Sequence, residues 1–154
     1  MKLAEALARR TDTSRRVDQL RARIADNARY QEGEPPSEDA ADLLIEAENA
    51  LTELESLVRK INATNAATPL GNGTITDALA RRDVLRLRHA LITSSANAAA
   101  GKNQQAYRQL RSELMYVSAL TVRPLRERAD NLARELREVD LQVQQANWST
   151  DLID

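Results

Sequence analysis

The chain has no cysteine and no phenylalanine, one histidine, and only four glycines and four prolines among its 154 residues. Each shortage closes a route. Without cysteine there is no disulfide framework, no thiolate zinc site and no cysteine nucleophile. With His89 as the sole imidazole, metal chemistry would have to rest on carboxylates. Glycine and proline are the residues that stop helices, so their scarcity leaves long uninterrupted helices as the economical reading. No window approaches the roughly 18 to 20 apolar residues of a membrane span, and the opening "MKLAEALARR" lacks the apolar stretch of a secretory signal. These features predict a cytoplasmic protein with no membrane association.

What remains is rich in Leu, Ala, Arg and Glu, all strong helix formers, and poor in the aromatic and β-branched residues that favour sheets. The expected fold is all-α. It comprises three to four long helices in an antiparallel bundle or coiled-coil hairpin arrangement, folded as a single helical domain over residues 1–154, with an optional short extended segment near 112–120.

The formal net charge of −1 hides a strong segregation. Residues 1–31 carry eight basic against four acidic groups, net +4, and residues 32–60 carry two against nine, net −7. Residues 61–105 return to +3, with five against two, and the remainder, seven against eight, is −1. A basic first helix is thus followed by an acidic neighbour able to receive it. Surface pairs of this kind contribute only about 0–1 kcal/mol each, but they bias which helices lie side by side.

Hydrophobic spacing predicts a first helix from about Lys2 to Arg29, with Leu3, Leu7, Val17, Leu20, Ile24 and Ala28 turned inward. "YQEGEPPSED" breaks it at Gly33 and Pro35-Pro36, and Ser37 is the expected N-cap of the second helix. There Leu44, Ala47, Leu51, Leu54, Val58 and Ile61 recur at steps of three and four, the heptad signature of a seam. "PLGNGTITDALARRD" marks a turn at Gly71–Gly73, and Thr74 with Asp77 resembles a capping box for a third helix. That helix offers Leu79, Val84, Leu87, Leu91 and Ala98 for burial and ends near Ala99. Residues 106–120 fit helix and strand equally. Thr121 caps a final helix, with Pro124 tolerated in its first turn and Leu125, Ala129, Leu132, Leu136, Val139, Val143 and Ala146 as its inner face. Trp148 reads as an anchor pinning the C-terminal tail.

Several segments taken together, "MKLAEAL", "QEGE", "INATNAATPL", "TDALARRDVLRLRH" and "NWSTDL", resemble the septicolysin-like family of small bacterial helical proteins, a domain of unknown function. The resemblance runs in order along nearly the whole chain and is weakest around residues 93–120. It implies a helical, self-associating, cytoplasmic bacterial protein. The cytolytic sense of the name is not carried over, since a pore former needs an amphipathic membrane hairpin or an apolar span.

Motifs for chemistry are sparse. The residue three before His89 is Arg86, so the Glu-x-x-His pattern of carboxylate-bridged metal bundles is missing. Glu135 and Glu138 have a Glu-x-x-Glu spacing, but flanking Arg134 and Arg137 make them read as solvated ion pairs. His89 would need a partner that the sequence does not identify before it could act in catalysis. No metal, cofactor or catalytic residue is therefore assigned. The start of the third helix, with Arg81 and Arg82 one turn inside, is the candidate anion-binding position; the plainer alternative turns both arginines to solvent or to acidic neighbours. The arginine-rich first helix raises nucleic-acid binding, but its charges are spread around the helix and no aromatic residues are interleaved to stack on bases.

The sharpest feature is the end of the second helix. Continuing the seam beyond Ile61 gives Asn65 and Thr68, with Asn62 and Thr64 nearby. Three readings stay open: a polar cluster of Asn62, Asn65 and Thr68 that fixes helix register, including between subunits; a helix end leaving the core into solvent; or a small ligand pocket formed with Arg81, Arg82 and Asp83. The leading expectation is a self-assembling helical structural or interaction protein, a homo-oligomer without catalysis of its own. A small-ligand or nucleotide-binding protein or enzyme using residues 62–83 is the first alternative, and a nucleic-acid-associated protein using the basic helix is the second.

Overall fold

A computed structural model describes residues 1–102 and 114–154. It contains helices α1 (Leu3–Asn27), α2 (Ala40–Ala67), α3 (Ile75–Ala99) and α4 (Val122–Ser149), with two short strands, β1 (Pro69–Leu70) and β2 (Gly73–Thr74). The fold is all-α, as its composition predicts. Two compact units divide the chain: Met1–Thr76 together with Gln144–Asp154, and Asp77–Val143. The division falls inside α3 and inside α4.

In the first unit α1 and α2 form an antiparallel hairpin. The inward positions of α1 are Leu3, Ala6, Arg10, Thr13, Val17, Leu20, Ile24 and Asn27, all buried or half-buried and spaced three and four apart. Only part of this row is apolar enough to be picked from composition. Along α2 the buried side chains are Leu43, Ala47, Ala50, Leu57, Ile61 and Thr64. The expected seam therefore holds at Ala47 and Ile61 and is one residue off at alternate positions: Leu44, Leu51 and Val58 stay 36–53% exposed. The cause is the choice between adjacent apolar residues. The small Ala47 and Ala50 face inward, and Leu20, Leu43 and Ala47 form one cluster with Ile24 packed on it. Burial of a Leu side chain contributes about 2 kcal/mol.

Three ion pairs cross the hairpin at regular intervals. Arg9 meets Glu53 at 2.6 Å, Arg16 meets Glu46 at 2.7 Å, and Arg23 meets Glu38. The arginines stand seven residues apart, and their partners step back by seven within α2 and by eight more to Glu38 just before it. This is the register of an antiparallel pair and the physical meaning of the +4 and −7 segregation.

The α1–α2 connection is closed by Asn27 rather than by a Ser37 cap. Asn27 Oδ1 accepts from Ser37 Oγ at 3.3 Å and from the Glu38 N–H at 3.2 Å, and its Nδ2 donates to the Arg23 carbonyl at 2.8 Å. The N-cap of α2 is Asp39, whose carboxylate accepts the Ala41 and Asp42 N–H groups. Asp39 lies two residues closer to the first helical turn than Ser37, which leaves Ser37 free to tie the loop.

After α2 the chain makes a two-residue hairpin with Pro69 opposite Thr74 and Leu70 opposite Gly73. Gly71 at its tip has φ +61°, the left-handed conformation that the first position of such a loop requires. The α3 helix begins directly after Thr74. It ends in a Schellman arrangement: Lys102 N–H donates to the Asn97 carbonyl and Gly101 N–H to the Ala98 carbonyl, with Gly101 at φ +79°.

The second unit pairs α3 with α4, again antiparallel. Early α3 meets late α4 through Arg81 to Glu135 (3.4 Å) and Arg82 to Asp140 (3.8 Å), while Asn97 near the end of α3 accepts from Arg126 Nη2 at 2.8 Å. Within this unit α4 buries Ala129, Leu132 and Val139 to 8% exposure or less and half-buries Leu125 and Leu136, the face that its spacing predicts. The expectation for α3 needs correction. Leu85, Ile92 and Ala96 are buried and Leu79 is half-buried, whereas Val84, Leu87 and Leu91 are 46%, 71% and 64% exposed and Ala98 is exposed as well. Two apolar rows of similar side-chain size run along α3, and size alone does not tell which one faces α4. The ambiguous stretch 106–120 lies partly outside the described residues; 114–120 adopts neither helix nor strand.

Candidate functional site

The polar end of α2 belongs to the first unit. Thr64, not Asn65, takes the inward position. It is fully buried, its Oγ1 donates to the Lys60 carbonyl at 2.8 Å and accepts the Ile153 N–H at 3.0 Å. The Thr64 carbonyl accepts both the N–H and the Oγ1 of Thr68, at 2.9 and 2.7 Å, and the Thr68 carbonyl accepts the Ile75 N–H at 3.0 Å. Asn62 is exposed, and Asn65 and Thr68 are half-buried. The Thr64 hydroxyl thus ties the end of α2 to the C-terminal tail, and the Thr68 carbonyl ties it to the start of α3.

That tail is held by main-chain bonds. Leu3 N–H donates to the Thr150 carbonyl and Leu152 N–H to the Met1 carbonyl, both at 2.9 Å, and Lys2 Nζ reaches Asp151 at 2.9 Å. Trp148 is 68% exposed and is not the anchor; the two termini pair with each other instead. The hydrogen bond from Lys2 holds the Asp151 carboxyl below the usual carboxylate range, and the one from Arg23 does the same for Glu38.

Arg81 and Arg82 do not present an open anion site. Arg81 binds Glu135 of α4, and Arg82, a quarter exposed, binds Asp83 and lies 3.8 Å from Asp140, which Arg86 also approaches at 3.7 Å. Glu135 is thereby engaged by an arginine. Among the described residues no three His, Asp or Glu side chains gather in a group that could hold a metal ion. The basic helix α1 has Arg9 and Arg16 committed to glutamates of α2 and Arg23 to Glu38 just before it, which removes them from any phosphate-binding footprint.

What the second unit does present is apolar. Beside the exposed Val84, Leu87 and Leu91 of α3, the segment before α4 exposes Leu114 (83%), Met115 (88%), Tyr116 (59%), Val117 (87%) and Leu120 (52%). The C-terminal end of α3 and that segment enclose a cavity of about 670 Å³ walled by Ser95 and Ala98 and by Tyr116, Val117 and Leu120. The sequence carried a signal for this surface, because α3 is apolar on two faces and one helix partner can cover only one.

The described residues thus form an all-α protein with an antiparallel helix pair in each unit and an apolar row exposed on α3. Residues 10–152 match the model of a family of unknown function, DUF6847, and the chain belongs to that family. It is also similar to a functionally unknown conserved protein from Corynebacterium diphtheriae, known from a crystal structure, with 38% sequence identity, a TM-score of 0.90 and 99% of each chain covered. No curated protein matches the chain. Nothing in the family description refers to septicolysin-like proteins.

Proposed function

We propose that the protein is a helical interaction module that assembles with itself and carries no catalytic site of its own. The observation behind this reading is the outward row of α3. Val84, Leu87 and Leu91 repeat at seam spacing on a face that the protein's own helices leave open. Aliphatic side chains in that pattern are costly to keep in water and are the usual material of helix–helix interfaces. Arg9, Arg16 and Arg23 of the basic helix and Arg81 and Arg82 of α3 are engaged by carboxylates, which favours the interaction reading over both alternatives. The proposed setting is the bacterial cytoplasm. Kinship with septicolysin-like proteins is retained as a proposal of relationship, with no lytic activity attached.

The test is sedimentation velocity of the natural protein beside a Leu87→Glu, Leu91→Glu double variant. The reading expects an assembled species that the double variant converts to monomer while the helical circular-dichroism signal is unchanged. A natural protein that sediments as a monomer at every concentration would remove it, and an assembly that the double variant leaves intact would remove the α3 row as its basis.

A further inference from the structure

The outward face of the second unit is graded in size along α3. Its N-terminal half carries Val84, Leu87 and Leu91, and its C-terminal half carries Ser94, Ser95, Ala98 and Ala99 before the turn at Gly101. The cavity lies at the small end, between Ser95 and Ala98 on one side and Tyr116, Val117 and Leu120 on the other. The face therefore has large side chains at one end and a hollow lined by small ones at the other. From this we infer that α3 is a self-recognition helix: it pairs antiparallel with α3 of a second copy about a two-fold axis at Leu91, and each copy's Val84 and Leu87 enter the other's cavity. This inference rests on the self-assembly reading and specifies its surface.

The register follows from spacing. Val84 and Ala98 each lie seven residues from Leu91, about 10 Å along the helix on either side. An antiparallel pair centred at Leu91 sets Val84 over Ala98 twice, so large meets small at both ends. Small residues let backbones approach closely while the opposing aliphatic chains fill the gap. A parallel pair would instead set Leu87 on Leu87 and Arg88 on Arg88, and would leave the Ser95–Ala98 hollow unfilled. Charge points the same way. Arg81, Asp83, Arg86 and Arg88 all lie in the large half, while the small half from Ser94 to Gly101 has no charged residue, so antiparallel pairing brings no like charges together.

The area is sufficient for a second copy. Six large side chains, Val84, Leu87 and Leu91 of α3 with Tyr116, Val117 and Leu120 at the cavity, are between 46% and 87% exposed. At about 150–250 Å² for a large side chain, they offer on the order of 600 Å². That reaches the top of the roughly 300–600 Å² of the largest patch on a typical monomer and, counted over two copies, the low end of the roughly 1,200–2,000 Å² of a specific interface. A two-fold interface needs one self-complementary surface, which this graded face provides.

The absence of native cysteine makes the test clean. Full-length Val84→Cys, Ala98→Cys and Leu91→Cys variants are prepared singly, checked for the natural helical signal and melting temperature, and treated with a short bismaleimide alone and after mixing in pairs. The inference expects crosslinking of Leu91→Cys to itself and of Val84→Cys to Ala98→Cys at twice 17.2 kDa, with at least tenfold less for Val84→Cys alone. Efficient self-crosslinking of Val84→Cys would overturn the antiparallel register. An assembled mass with none of these crosslinks would overturn the α3 surface while leaving self-assembly standing. A 17.2 kDa monomer at every concentration would overturn both.

Discussion

Replacing Thr64 by valine isolates the hydrogen bonds of the buried hydroxyl from its volume, because the two side chains have nearly the same shape and the same branching at Cβ. In the folded protein Thr64 Oγ1 is the acceptor for the Ile153 N–H at 3.0 Å and a donor to the Lys60 carbonyl at 2.8 Å. The carbonyl loses little, since it lies within the helical ladder of α2. The partly buried Ile153 N–H loses its acceptor, and a donor stranded in this way costs about 1–2 kcal/mol. With a urea m-value of about 1–3 kcal/mol/M, Thr64→Val should lower the denaturation midpoint by roughly 0.5–1 M at unchanged slope. Hydrogen exchange should show the Ile153 amide losing protection before the amides of α2. Asn65→Val, on the half-buried flank, should stay within about 0.5 kcal/mol of the natural protein. A Thr64→Val protein as stable as the natural one, or an Asn65→Val protein that is the more damaged of the two, would refute the placement of the polar seam at Thr64.

Three further outcomes follow from other parts of the structure. Leu85→Ala should cost about 2–4 kcal/mol because Leu85 is 4% exposed, whereas Leu87→Ala, at 71% exposed, should leave the unfolding free energy of the isolated chain within about 0.5 kcal/mol; chemical denaturation of dilute protein checks both. Gly71→Ala meets no neighbouring atom within 4 Å but forces alanine to φ +61°, so it should cost about 1–2 kcal/mol and lower the melting temperature by roughly 2–6 °C. The Glu38 and Asp151 carboxyls are held below their usual range by Arg23 and Lys2. Their contribution is therefore complete at neutral pH and is lost as pH falls through their lowered folded-state values, below the ordinary carboxylate range of about 4. Thermal melts should fall off in that acid window, and a Glu38→Gln, Asp151→Asn double variant should lose part of the dependence.

The helical class was legible because composition and scarce breakers left no competing fold, and the inner face of α4 was legible because its apolar residues form a single row. The partnership of α1 with α2 could be read from charge, and three arginine–glutamate pairs realise it. Position within a row was harder. In α2 the pairs Leu43-Leu44, Ala50-Leu51 and Leu57-Val58 each offer two adjacent apolar candidates, and preferring the larger or the more regular one misplaces the seam by 100° of helix. In α3 the same preference turned Leu87 and Leu91 inward. What decides the matter is how closely the partner helix approaches, which is a property of two segments and not of one. The Thr64 bond to Ile153 spans 89 residues, and no local spacing rule reaches that far.

The most direct measurement is the mass of the intact protein in solution across a hundredfold dilution, by native mass spectrometry or light scattering. The account predicts a discrete species at twice 17.2 kDa that persists through the upper part of the range and dissociates only at the dilute end. A single species at 17.2 kDa throughout would contradict it.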